Sequence, residues 1–320
     1  MITLKDLTAK QLEDAKIAMT LSALAYDTPS NIGNLLTNKN LATKNKWGVA
    51  WGPFIHESNL VFVAKNKTSD DYMVTIRGTI FDLWSIFIDI DSFYLTNLPW
   101  DSNDQKMISY GMSDAWSHVK AMNSGNGQLS LEKFIDGIPS NSNIFVTGHS
   151  QGGALASVVA FWLYDTFHSK QNIIPYTFAG ETAGNVDFAN AYNKRFVSGS
   201  SNGLRFFNDI DIVPKGFADL ASIKSLYSPQ PPYVECPEFY KDTIDLLIKH
   251  LPTYVQPDAG VSLPGPMVKI KGEVDFWNRR SLFRKELGIQ HNHLTYLTLL
   301  GANMTAGAPK VWPPVDIPAK

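Results

Sequence analysis

The chain has 320 residues, 44% hydrophobic and 18% charged, with 22 Gly, 18 Pro and a formal net charge of −2. That length allows one large or two ordinary domains and a sizeable core, while the near-neutral balance argues against a nucleic-acid partner, which would call for a basic stripe. One cysteine, Cys236, excludes an internal disulfide framework or a multi-cysteine zinc site, and no uninterrupted apolar run reaches the roughly 18 residues of a membrane span.

The first residues, MITLKDLTAKQLED, carry charges where a signal peptide would have its apolar stretch. The compartment stays open between the cytoplasm and an exported, trimmed form. Thr8 to Gln11 has the Thr-x-x-Gln spacing of a capping box, and Leu12, Ala15, Met19 and Tyr26 recur on one helical face until Thr28-Pro29. Strands are predicted at Trp47–Trp51, Asn59–Lys65 and Tyr72–Arg77, the last two joined as a hairpin by the turn at Lys67–Asp71.

Beyond these the pattern becomes strand, turn, helix. Asn143–Thr147 is a short apolar run of the buried parallel type, followed by GHSQGG and the apolar helical stretch ALASVVAFWLYDTF. Ile173–Phe178 and Leu204–Phe207 repeat the strand signal around a helix at Val186–Phe196. Strands alternating with helices predict an α/β fold: a mostly parallel sheet covered on both faces, antiparallel at its start. Glu238–Leu251 is expected to be a helix burying Tyr240, Ile244, Leu247 and Leu251. Pro252–Pro266 is expected to be loop, and APKVWPPVDIPAK extended. Cys236 fits a small buried hydrophobe. No linker divides two self-sufficient cores, so residues 1–320 are expected to form one domain with an irregular insertion at about 216–285.

Gly148-His149-Ser150-Gln151-Gly152 matches G-x-S-x-G, between a predicted buried strand and a predicted helix. That is the context of a nucleophile elbow, whose turn leaves no room for a Cβ at either glycine. A serine needs a base, and the base an orienting acid. In elbow folds these follow in the order Ser, Asp or Glu, His. His168 and His250 end helices, where a solvated position near the dipole accounts for them. His291 and His293 both lie in QHNHLTYL, near the C-terminus where the base is expected. Asp209 and Asp211 both follow the strand LRFFN, and either also fits a turn residue. An acyl-transfer site further needs two N–H donors for the oxyanion. The Gln151 amide fits one, and the loop Arg77-Gly78-Thr79 after YMVTI fits the other.

Five blocks, VTIRGT (74–79), NIFVTGHSQGGALA (143–156), YTFAGETAGN (176–185), NDIDIVP (208–214) and HLTYL (293–297), together resemble the fungal-type, or class 3, lipase family of α/β-hydrolases, in the family's order. The resemblance implies Ser150 as nucleophile, Asp211 of the DIVP block as acid and His293 as base, with Thr79 and Gln151 as oxyanion donors. His291 is then a solvated neighbour. Ala179 and Glu181 depart from the Gly and Pro usual in the family, and the segment 216–285 follows no family pattern. The implied function is a serine carboxylic-ester hydrolase, a lipase of acylglycerols, working through an acyl-enzyme with no metal or organic cofactor. A phospholipase A1 or short-chain esterase would use the same machinery. A hydrolase fold reduced to a binding module should have lost a catalytic position, and none is lost.

Ile80 to Ile90, IFDLWSIFIDI, has a different character. Wound as a helix it puts Asp82, Ser85 and Asp89 on a narrow polar stripe and leaves the rest large and apolar. Such a helix is either core or, as the resemblance implies, a lid over the cleft at about 80–92 carrying Phe81, Trp84, Phe87 and Ile88. A lid of this kind implies adsorption at a lipid–water interface and interfacial activation.

Overall fold

The computed structural model describes residues 2–78, 93–101, 105–122, 129–198, 202–228, 234–265 and 279–302. In chain order these form strand β1 (Ile2–Thr3), helices α1 (Ala9–Leu24) and α2 (Pro29–Leu35), and strands β2 (Trp47–His56), β3 (Asn59–Asn66) and β4 (Asp71–Ile76). There follow β5 (Leu95–Asn97), β6 (Met107–Ser109), α3 (Tyr110–Ala121), α4 (Leu131–Asp136), β7 (Asn143–His149) and α5 (Gln151–Phe167). The chain continues with β8 (Asn172–Phe178), α6 (Val186–Phe196), β9 (Leu204–Asn208) and α7 (Leu220–Ile223). It closes with α8 (Glu238–His250), β10 (Gly260–Leu263), α9 (Arg279–His291) and α10 (His293–Leu299).

Among the described residues, eight strands make one sheet in the order β1-β10-β9-β8-β7-β4-β3-β2, and β5 and β6 form a separate ribbon. The pairs β2–β3 and β3–β4 are antiparallel; from β4 to β1 every pair is parallel. Period-two alternation splits the sheet's side chains between two cores. Val61, Val63, Val74, Ile76, Ile144 and Val146 face α3, α5 and α6. Leu60, Phe62, Met73, Phe145, Phe178 and Phe206 face α1 and α10. Helices therefore cover both faces, as in an α/β-hydrolase.

Local signals explain most boundaries. Thr8 and Gln11 form the capping box of α1, while Pro29 begins α2. Asn185 caps α6 by accepting from the Phe188 amide at 3.0 Å. In α8, Tyr240, Ile244 and Leu247 are buried at helical spacing. They join Ile212, Val213, Tyr227, Phe283 and Leu287 in a third core beside the sheet, where Cys236 is buried too.

Within Pro252–Pro266 the expected loop is interrupted by β10, which pairs in parallel with both β9 and β1. Four residues, GVSL, carry too little pattern to announce a strand. A slot between two existing strands supplies the backbone partners instead. Part of the 216–285 segment is thus built into the main sheet.

Candidate active site

The C-terminal ends of β4, β7, β8 and β9 lie side by side, and the loops leaving them build the site. This is where open parallel sheets bind their ligands. The turn from β7 into α5 is as sharp as G-x-S-x-G requires. A Cβ on Gly148 would lie 2.1 Å from the Gly152 carbonyl oxygen, and one on Gly152 would lie 2.5 Å from that of Ile76. Between them Ser150 takes φ 63° and ψ −137°, a region that side-chain-bearing residues rarely enter. Its amide donates to the Phe178 carbonyl at 3.0 Å, and its carbonyl accepts the first bonds of α5. Gln151 is the first residue of α5, at the helix N-terminus.

Ser150 Oγ lies 2.8 Å from His291 Nε2, and His291 Nδ1 lies 2.8 Å from Asp211 Oδ2. Both outer groups are almost fully buried, Ser150 at 2% and Asp211 at 0% exposure. Asp211 follows β9 on a tight turn and accepts the Val213 amide on Oδ1 at 3.0 Å. The Tyr296 hydroxyl donates to Oδ2 at 2.8 Å and itself accepts the Asn208 amide at 3.0 Å. Burial and the Asp211 charge hold the Tyr296 phenol well above its ordinary pKa, so the proton stays on Tyr296. Asp209 turns away and accepts from Ser262 Oγ at 2.7 Å.

The histidine beside Ser150 is therefore His291, and the assignment of His293 from the HLTYL block is corrected. The reason is a helix break. α9 ends at His291, Asn292 caps α10 by accepting the Leu294 amide at 2.8 Å, and His293 opens α10. The break sends the two rings in different directions. His293 stacks on Tyr26 with ring centroids 5.1 Å apart at 12°. Its Nε2 has no hydrogen-bond partner among the described residues. Burial, then the neighbouring His291, pushes its pKa down to about 4. Nor is His291 a solvated neighbour, being 3% exposed. Asn at an N-cap immediately before His293 was the one sequence signal that could have separated the two.

His149 is equally buried. Burial first, then His291 and His293, holds its imidazole well below the usual value. Glu181, on the loop after β8, is buried with one carboxylate oxygen unpartnered among the described residues. Burial pushes its pKa up to about 7, against the downward pull of its own amide and of His291. The loop after β4 passes directly by Ser150: a Cβ on Gly78 would lie 3.0 Å from that of Ser150. Thr79, next in sequence, lies outside the described residues, as do Phe81, Trp84, Phe87 and Ile88 of the expected lid. His168 and His250 end α5 and α8, exposed. Among the described residues no cluster of His, Cys, Asp and Glu could hold a metal ion, and no helix is long and apolar enough to cross a membrane.

A mostly parallel sheet with a serine at the strand–helix elbow, hydrogen-bonded through a histidine to an aspartate, defines the α/β-hydrolase class. Within it, residues 73–220 match the family Lipase (class 3), which the five sequence blocks resemble. Lipase ZK262.3 of Caenorhabditis elegans is 25% identical over 213 residues, covering 63% of this chain and 54% of that protein. The chain thus spans about half the length of this relative. Among solved structures, M37 lipase superposes with a TM-score of 0.76 at 24% identity, over 92% of this chain and 94% of that one. Lip2 lipase from Yarrowia lipolytica gives 0.58 at 18% identity, over 82% of each chain. These likenesses carry the fold.

Proposed function

We propose that this chain is a serine hydrolase of carboxylic esters, a lipase acting on acylglycerols, with Ser150 as nucleophile, His291 as general base and Asp211 as orienting acid. The observation that carries the reading is the unbroken Ser150–His291–Asp211 chain, with both hydrogen bonds at 2.8 Å. Ser150 Oγ attacks the ester carbonyl carbon while His291 Nε2 takes its proton. Asp211, held by Tyr296 and the Val213 amide, keeps the other ring proton on Nδ1 and stabilises the imidazolium. The tetrahedral oxyanion is received by the Gln151 amide and by that of Thr79, which follows Gly78 in sequence. Collapse expels the alcohol, protonated by His291, and leaves an acyl-Ser150. Water then attacks the acyl group with the same histidine as base, releasing the fatty acid and restoring Ser150. The class 3 lipase match over 73–220 supports a lipid ester as substrate, and the apolar sequence 80–92 supports adsorption at a lipid–water interface.

Labelling with a fluorophosphonate, followed by peptide mass spectrometry, tests the reading. Stoichiometric modification of Ser150 together with hydrolysis of emulsified triacylglycerol is expected. A folded protein that neither labels nor hydrolyses any ester would be a binding module on a hydrolase fold. Comparing triacylglycerols, phospholipids and graded p-nitrophenyl esters then ranks the substrates.

A further inference from the structure

α9 stops at His291, and the carbonyls of a helix's last turn find no partner within the helix. The His291 carbonyl is taken from across the site. His149, the residue immediately before the nucleophile, brings its Nε2 to 2.8 Å from that oxygen. A carbonyl oxygen can only accept, so His149 carries its proton on Nε2 and leaves Nδ1 bare. Tyr26 completes the chain, its hydroxyl 3.1 Å from that Nδ1 and therefore donating to it. The Tyr26 ring is in turn held flat against His293, on the first turn of α10. His149 is 3% exposed, and burial beside two other histidines keeps it neutral, so one tautomer persists.

We infer that His149 is a positioning residue: the Tyr26–His149–His291 carbonyl chain pins the joint between α9 and α10 to β7 and so holds His291 Nε2 within reach of Ser150 Oγ. The inference rests on the reading of His291 as the base for Ser150. The end of α9 is also held by Asn208 Nδ2, which donates to the Gln290 carbonyl at 3.0 Å, and by Thr295 Oγ1, which donates to the Ile289 carbonyl at 2.6 Å; His149 adds the bond to the residue that carries the base itself. Phe283 and Leu287 anchor the body of α9 in the third core, and Tyr296 and Leu297 anchor α10 against the sheet. His291 and Asn292 fall between these anchors, at a helix end where backbone frays. A misplacement of about 1 Å in a catalytic pair can cost on the order of a hundredfold in rate. With the chain in place, residue 149 binds the backbone of the histidine whose side chain residue 150 binds. Base and nucleophile are then referenced to one strand end.

Nitrogen-15 NMR of the full chain labelled at histidine reads the chain without turnover. His149 should show the neutral Nε2–H tautomer at neutral pH and keep it at the ordinary imidazole pKa of 6.5. An Nδ1–H tautomer or a protonated ring overturns the inference whether or not the protein hydrolyses esters. The second reading is kinetic, on a soluble p-nitrophenyl ester. His149→Phe keeps a ring but loses the donor, and should lower kcat about tenfold or more with KM within about twofold. His149→Gln retains an amide donor and should stay within about threefold of the unaltered enzyme. Unchanged kcat in His149→Phe overturns the inference. So does an equal loss in both variants, which would make position 149 a packing site. Should the unaltered protein hydrolyse no ester, the functional reading fails, and the tautomer measurement still decides the chain.

Discussion

Ser150 occupies a backbone conformation at φ 63° and ψ −137° that costs an L-residue free energy and costs glycine little. The glycines at 148 and 152 allow the turn, and the strain falls on the residue whose Oγ must stand clear of both strand and helix. Ser150→Ala and Ser150→Gly should both abolish ester hydrolysis while leaving the fold intact. Urea denaturation should find the Gly variant more stable than the Ala variant by about 1 kcal/mol. Equal stabilities would mean the strain is relieved elsewhere. His293 is the other residue with a measurable signature. Its pKa is about 4 in the folded protein, against 6.5 ordinarily. Between those values the unfolded chain binds more protons, so stability falls as pH drops from about 6.5 to 4, by about 3 kcal/mol in total. Glu181 works oppositely. It holds its proton up to about 7, so its contribution is present at low pH and lost as pH rises through that value. His293→Phe keeps a ring against Tyr26 without the titration. Urea midpoints between pH 7 and 4.5 should therefore fall less steeply in the variant; parallel slopes in the two proteins would refute this account.

At the scale of elements, α9 ties His291 to the third core. Phe283 is fully buried between Tyr227 and Tyr240, with ring centroids 5.5 and 5.6 Å away, two turns before His291. The same core holds Ile212 and Val213, the residues directly after Asp211. Asp211 and His291 thus both grow from one cluster outside the two sheet-facing cores. Phe283→Ala should cost about 3–5 kcal/mol of stability. It should also lower kcat at temperatures where the variant remains folded, because α9 loses its anchor. Phe196→Ala, in the core under α6, should cost a similar amount and leave kcat near that of the unaltered protein. Equal kcat losses in the two variants would disconnect the third core from the site. β10 shows the same dependence on context, since its four residues become a strand only because β9 and β1 flank them.

For the whole molecule, the C-terminal ends of β4, β7, β8 and β9 gather the residues of the candidate site. In sequence, 80–92 falls between Gly78-Thr79, of which Gly78 lies beside Ser150, and Phe93. Tyr94, directly after it, and Tyr110 are 61% and 57% exposed, and the Tyr110 amide donates to the Tyr94 carbonyl at 2.7 Å. Uncovering further apolar area in water costs about 25 cal/mol per Å², a cost that a lipid surface removes. Activity on a partly soluble ester should therefore rise sharply once substrate exceeds its solubility limit. Trp84→Ala should lower activity on emulsified long-chain triacylglycerol more than on a soluble short-chain ester. Simple saturation across the limit, with equal losses on both substrates, would make 80–92 a core segment and the enzyme an esterase of dissolved substrates.

What the sequence determined alone was what local chemistry can specify. The α6 boundaries at Val186 and Phe196, the capping box of α1 and the β3–β4 hairpin all follow from periodicity, caps and turn residues read within a dozen positions. The elbow was equally legible from its G-x-S-x-G spacing between a strand and a helix, although the contact that keeps Gly152 a glycine comes from Ile76 and Gly78, at the end of the neighbouring strand β4. Tertiary structure decided the rest. Whether His291 or His293 meets Ser150 depends on where α9 breaks and on which ring Tyr26 and His149 leave free, partners more than 100 positions away in the chain. β10 is a strand only because of its neighbours. Asp211 and Asp209 are two residues apart in similar sequence, and the packed fold brings one to His291 and the other to Ser262. Periodicity and caps are written in neighbouring residues; the meeting of distant side chains is set by how the whole chain packs.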